Sequence, residues 1–249
     1  MKYILLLLAL PLLAIAQDLT GPEIIQKVND QMNQKSSEAT MTMTIFTSSG
    51  KERTFEYLSY SKNNGEKNLM IYQAPGRVKG QKMLMLNHAD DIWAYFPRTK
   101  RVRKLATHAK KQKFEGSDFS NEDMGSGDSF TKDYDTKLLG IEKKNDDDCY
   151  KVEMIKKPDA DISYSKLITW VRTLDFVPVV FEYYDDKNPD RKSKTLTQSN
   201  IIVVDGVSTG TKMVMHNHDD NTNTTIELKE IKYNLDLDDE LFSERGLKK

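Results

Sequence analysis

Cysteine is almost absent: Cys149 is the single one in the chain. An intrachain disulfide is therefore excluded, and stability has to come from packing. Proline is scarce as well, with seven residues, and no Pro-rich or Gly/Ser-rich stretch reads as a linker between domains. Neither sign of charge dominates, since 37 basic residues face 38 acidic ones. A nucleic-acid binder carries a basic footprint, so nucleic acid is not an expected partner. Beyond residue 16 no apolar run approaches the roughly 20 residues that a membrane-crossing helix needs.

The one long apolar run opens the chain. Lys2 precedes 13 apolar residues at positions 4–16, and Ala14-Ile15-Ala16 supplies small residues in a cleavage pattern. This reads as a secretory signal peptide over 1–16, too short to anchor. A mature chain is expected to begin at Gln17 and to form one domain over 17–249. A lipoprotein would need Cys where Gln17 stands, so the exported product is expected to carry no lipid anchor.

Periodicity then assigns the elements. Leu19, Ile24, Ile25 and Val28 recur at helical spacing, with Thr20 as a cap and Pro22 in a first turn, which predicts a helix within 17–35. From residue 38 the period becomes two, with Met41, Met43 and Ile45 alternating against Thr42 and Thr44. Strands are predicted at 38–48, 51–61, 67–73, 81–87, 91–97 and 101–105. More follow at 134–143, 148–157, 164–173, 177–184, 192–203, 209–217 and 223–235. Turns such as Ser49-Gly50, Pro75-Gly76, Asn145-Asp146, Lys187-Asn188-Pro189 and Asp205-Gly206 separate them. Residues 106–132 lack any alternation, and a stretch of that length inside a compact domain is expected to be functional. The fold class is mainly β with some helix: an antiparallel meander long enough to curl.

The segment at 91–124, DIWAYFPRTKRVRKLATHAKKQKFEGSDFSNEDM, resembles the outer-membrane lipoprotein-sorting proteins, the LolA-like family. The aromatic strand Trp93-Ala94-Tyr95-Phe96-Pro97, the basic strand after it and the phrase Phe114-Glu115-Gly116-Ser117-Asp118-Phe119-Ser120 carry the likeness. The resemblance implies a strongly curved antiparallel sheet, an incomplete barrel with helices covering its open side and acyl chains held between. It also implies a periplasmic carrier of lipoproteins or other lipids, with an inner-membrane exporter and an outer-membrane acceptor as partners and no cofactor.

Several residues fit that expectation. Met41/Met43, Met83/Met85 and Met213/Met215 stand two apart, so each pair shares a strand face. Methionine adapts to chains of varying shape, although it also fills ordinary cores. The expected cavity lining is Met41, Met43, Ile45, Phe55, Tyr57, Met83, Met85, Trp93 and Tyr95. A bare chain of roughly 14 methylenes would cost on the order of 11 kcal/mol in water, at about 0.8 kcal/mol each, which a hydrophobic pocket offsets. Residues 97–113 hold eight basic residues and no acidic one. Arg98, Arg101, Arg103 and Lys104 are candidates for contact with a headgroup or a partner; the alternative is an edge strand guarded by charge. Phe114, Asp118 and Phe119 mark a candidate lid or docking loop.

Catalytic signatures are thin. His216-Asn217-His218 with Asp219 and Asp220 has no second metal-ligand group at suitable spacing and reads as a polar turn. Asp118, Ser120 and Glu122 do not match a calcium loop, and no Gly-x-Ser-x-Gly is present. Cys149 follows three aspartates, which disfavours its thiolate. No metal and no enzyme are expected. A non-transporting sensory or regulatory binding module on the same scaffold is the alternative, with an envelope-polymer hydrolase a distant third.

Overall fold

A computed structural model describes residues 19–125, 129–186 and 188–249. The signal segment at 1–16, the expected start at Gln17, Ser126-Gly127, Asp128 and Lys187 of the expected turn lie outside the described residues.

Thirteen strands are present among these residues. The first six are β1 (Ser36–Phe46), β2 (Glu52–Lys62), β3 (Lys67–Ala74), β4 (Lys82–Leu86), β5 (Asp91–Phe96) and β6 (Arg101–Lys104). The other seven are β7 (Tyr134–Lys144), β8 (Asp147–Lys156), β9 (Tyr164–Arg172), β10 (Pro178–Asp185), β11 (Lys192–Val204), β12 (Val207–Asn217) and β13 (Thr222–Tyr233). They form one antiparallel sheet in the order β6-β5-β4-β3-β2-β1-β13-β12-β11-β10-β9-β8-β7. Two meanders are thus joined where β1 pairs with β13. Every predicted strand is found, each within a few residues of its expected bounds.

The principal helix, α1 (Gly21–Met32), starts where its cap dictates. The Glu23 amide donates to the Thr20 hydroxyl oxygen, while the Thr20 amide donates to the Glu23 carboxylate at 2.8 Å. This capping box satisfies otherwise orphaned amides, and Pro22 sits in the first turn, where its missing N–H costs nothing. The helix thus begins directly after its expected cap, Thr20, and lies within the expected span. Ile24, Ile25 and Val28 are buried against the sheet, worth about 1.5–3 kcal/mol apiece. The helix lies over β7, β8 and β12. Gly21 abuts the backbone of β7 so closely that a Cβ there would sit 2.9 Å from the Leu138 nitrogen.

Two sheet faces carry different cores. Met41, Met43 and Ile45 of β1 share the main core with Phe55 and Tyr57 of β2, α1, and residues of β8–β10. The opposite face of β3–β5 carries Leu69 and Leu84, which are covered by Phe242 and Leu247 from the C-terminal segment. That segment enters through a 3-10 turn, Asp239–Phe242, capped by the Asp238 carboxylate. The expected non-strand stretch at 106–132 becomes two 3-10 turns and two short helices, α2 (Asn121–Gly125) and α3 (Ser129–Asp133).

Candidate functional site

A cavity of about 300 Å³ opens between the sheet and the helical segments. That size lies at the lower end of small-ligand pockets. Its walls come from β9 and β10 (Tyr164, Leu167, Phe181, Tyr183), from β11–β13 (Leu196, Met213, Ile226), and from Phe119, Phe130 and Tyr134. The aromatics brace each other: Phe130 stacks on Phe181 with centroids 5.5 Å apart, and Tyr164 meets Tyr183 at 4.7 Å. Polar residues, among them Asn33, Ser37, Ser61 and Asn68, also line it.

Two acidic residues, Glu122 and Asp123, also face this space. Glu122 is buried and accepts a hydrogen bond from the Ser163 hydroxyl at 2.5 Å. Burial drives its pKa up, only partly opposed by that hydrogen bond. Asp123, in the first turn of α2, accepts from the Ser120 amide at 2.7 Å and from the Tyr164 hydroxyl at 3.1 Å, while its own amide donates to the Ser120 hydroxyl oxygen at 3.0 Å. Lys194 donates to the Tyr164 oxygen at 2.9 Å and to the Asp118 carbonyl at 2.7 Å. Burial holds the Tyr134, Tyr164 and Tyr183 phenols protonated, with the nearby carboxylates adding to the effect.

The expected cavity residues divide into four groups. Met41 lines the cavity. Met43, Ile45, Phe55, Tyr57 and Met85 are buried in the same core but in its packed part, away from the open space. There Tyr57 lies between Phe55, Tyr72 and Phe114, with centroids at 6.2, 4.8 and 5.9 Å. Met83 is half-buried at the margin of that core. Trp93 and Tyr95 do not join them: they face the other side of the sheet and pack under the C-terminal segment. The register explains this. Leu84 pairs with Trp93 and Met85 with Ile92, so Trp93 shares the face of Leu84 while Met85 shares that of Ile92.

The candidate loop is docked, not loose. Phe114 is buried against Tyr57, and Phe119 is buried and forms part of the cavity wall. Asp118 is 2 % exposed. It accepts hydrogen bonds from Thr222 at 2.5 Å and Thr224 at 2.8 Å on β13. Its own amide donates to the Thr224 hydroxyl oxygen at 3.0 Å. Phe114 thus packs against β2, while Phe119 borders the cavity, which reaches Met41 of β1 and Asn68 of β3 as well as β9–β13.

Arg98, Arg101, Arg103 and Lys104 all lie exposed, in the β5–β6 turn and along edge strand β6. Lys104 pairs with Asp91, and the Arg103 guanidinium lies 5.8 Å from the centre of the Phe96 ring.

Elsewhere, burial first, with Asp147 adding to it, pushes the Cys149 thiol up to about 11, leaving it a weak nucleophile at neutral pH. His216 and His218 stand with ring centres 4.6 Å apart, and His218 Nε2 lies 2.8 Å from the Thr195 hydroxyl. Among the described residues, no three His, Cys, Asp or Glu side chains are grouped to hold a metal. No described helix is long and apolar enough to cross a membrane.

The aromatic wall of β9 and β10 and the acidic pair on α2 were missed in the sequence. Phe181 and Tyr183 stand two apart, the same signal that singled out the methionine pairs.

A family model described as uncharacterized-protein-like matches residues 64–249. The fold matches a DUF1329 family protein from Desulfovibrio piger with a TM-score of 0.82 and 30% identity, covering 91% of this chain and 97% of that one. It equally matches a putative outer membrane lipoprotein-sorting protein domain from Vibrio parahaemolyticus, with a TM-score of 0.82, 29% identity, and 92% and 98% of the two chains. The chain belongs to the DUF1329 family, and its fold is similar to that of a putative lipoprotein-sorting domain. A LolA superfamily protein from Nitrosomonas europaea shares the fold of this family at a TM-score of 0.75 and 23% identity, over 92% of this chain and all of that one. No curated protein matches the chain.

Proposed function

We propose that this LolA-like protein is a non-enzymatic periplasmic carrier that binds acyl chains of lipoproteins or other lipids and moves them between the inner and outer membranes. In this reading residues 1–16 direct export, and residues 17–249 form one domain whose sheet curls around the cavity as an incomplete barrel. Helices α1–α3 cover its open side. An inner-membrane exporter loads the cavity, and an outer-membrane acceptor empties it. The observation that carries the reading is the cavity of about 300 Å³ walled by Phe119, Phe130, Leu167, Phe181 and Met213 on a lipoprotein-sorting fold. Apolar walls offset the cost of hydrating methylenes, and the aromatic and methionine side chains tolerate more than one chain shape.

Native mass spectrometry with lipid extraction, on protein purified from the periplasm without refolding, tests this. Co-purifying phospholipid or acylated peptide is the expected result. A protein that arrives empty and takes up no added lipid would instead favour a partner-binding module on the same fold.

A further inference from the structure

A second pocket, of about 290 Å³, lies at the end of the sheet where the β3–β4 and β5–β6 turns meet. Four cations line it, Arg77, Lys79, Arg98 and Arg103, beside Gln81 and Phe96, and no acidic residue does. All four are exposed. The neighbouring cations are otherwise engaged: Lys104 meets Asp91, Lys110 meets Asp90, Lys111 meets Asp161 and Lys113 meets Asp220. Among the described residues no carboxylate pairs with the four pocket cations. Four like charges around one concavity repel each other, and an anion seated among them reverses the sign of that interaction.

The surroundings extend the same field. Residues 67–114 hold twelve basic residues against two acidic ones, Asp90 and Asp91, in a chain with one more acid than base. Positive charge is thus concentrated on β3–β6 and their turns, while the remainder is acidic. Planar guanidinium forks match the paired oxygens of a phosphate better than a point charge does. Lys100 and Arg101, also exposed, flank the pocket and present a broader basic surface than one free anion requires.

We propose that this pocket seats the phosphate of an anionic phospholipid head, so that the protein docks on a negatively charged bilayer with the β3–β4 and β5–β6 turns against it. The site is separate from the cavity and does not depend on what the cavity carries.

Vesicle flotation tests it, using phosphatidylcholine vesicles with and without phosphatidylglycerol. Wild-type protein should float with the anionic vesicles and stay behind with the neutral ones. The double variant Arg77→Gln/Arg98→Gln should lose binding by on the order of tenfold or more. Lys35→Gln/Lys229→Gln removes the same net charge from exposed positions outside the pocket and should bind within about twofold of wild type, judged against the per-charge attraction to anionic lipid. Equal losses in both double variants, or no flotation of the wild type, would overturn the proposal. So would saturable binding of inorganic phosphate by protein that ignores anionic vesicles, which would make the pocket a site for a free anion.

Discussion

Asp118 and Thr224, 106 positions apart, hold each other twice. The Thr224 hydroxyl donates to the Asp118 carboxylate at 2.8 Å, and the Asp118 amide donates to the Thr224 hydroxyl oxygen at 3.0 Å. This reciprocal pair fastens the loop that carries Phe114 and Phe119 to β13, and with it one wall of the cavity. Asp118→Ala leaves the buried Thr224 hydroxyl proton without its acceptor and removes the bond to half-buried Thr222, at a cost of about 2–3 kcal/mol. Urea unfolding should show that loss in the transition midpoint with the slope unchanged. A shift worth under about 1 kcal/mol would mean that the loop holds without this pair.

Substitutions by glutamate separate the packed part of the interior from the open part. Met43 is fully buried, so Met43→Glu puts a carboxylate where no partner or water reaches it and should cost more than about 4 kcal/mol, enough to prevent folding. Met213 is only partly buried and borders the cavity, so Met213→Glu should leave a folded protein with the wild-type circular dichroism spectrum. Its co-purifying lipid should fall by on the order of tenfold or more, because the new charge stands where acyl chains pass. A Met213→Glu protein that retains its lipid would place the acyl chains elsewhere.

Glu122 gives stability a pH dependence of a definite sign. Its folded-state pKa is raised, chiefly by burial and further by Asp123, while the Ser163 hydroxyl and the Lys110 charge pull it back. A carboxyl shifted in this direction favours the fold most below its unfolded pKa, and that contribution drains away as pH rises through the folded value. Glu122→Gln removes the titration and retains a group that can accept from Ser163. Wild type and variant should therefore have similar urea midpoints near pH 4, and the variant should gain on the wild type as pH increases above that. A constant difference across the range would show that Glu122 titrates alike in both states.

The strands were legible in the chain because a period of two leaves its mark wherever one face is buried. Met41, Met43 and Ile45 announce β1, and the turn pairs mark where each strand ends. Thr20, Pro22 and Glu23 likewise announce the start of α1, since caps are local chemistry. The site was less legible. Alternation separates the two faces of a strand but does not say what covers either one. Trp93 and Tyr95 were expected beside Met83 and Met85 because all four lie on alternating strands, yet the β4–β5 register turns them to opposite sides.

What settles that question arrives from far along the chain. Phe242 and Leu247 cover the face of Trp93, while Phe114 and Phe119 fill the interior beneath β1 and β2. Local periodicity and capping thus wrote the strands, the helix start and the absence of a disulfide staple into the order of residues. The position of the empty space was decided by long-range packing, because a void exists only where no distant segment has come to fill it.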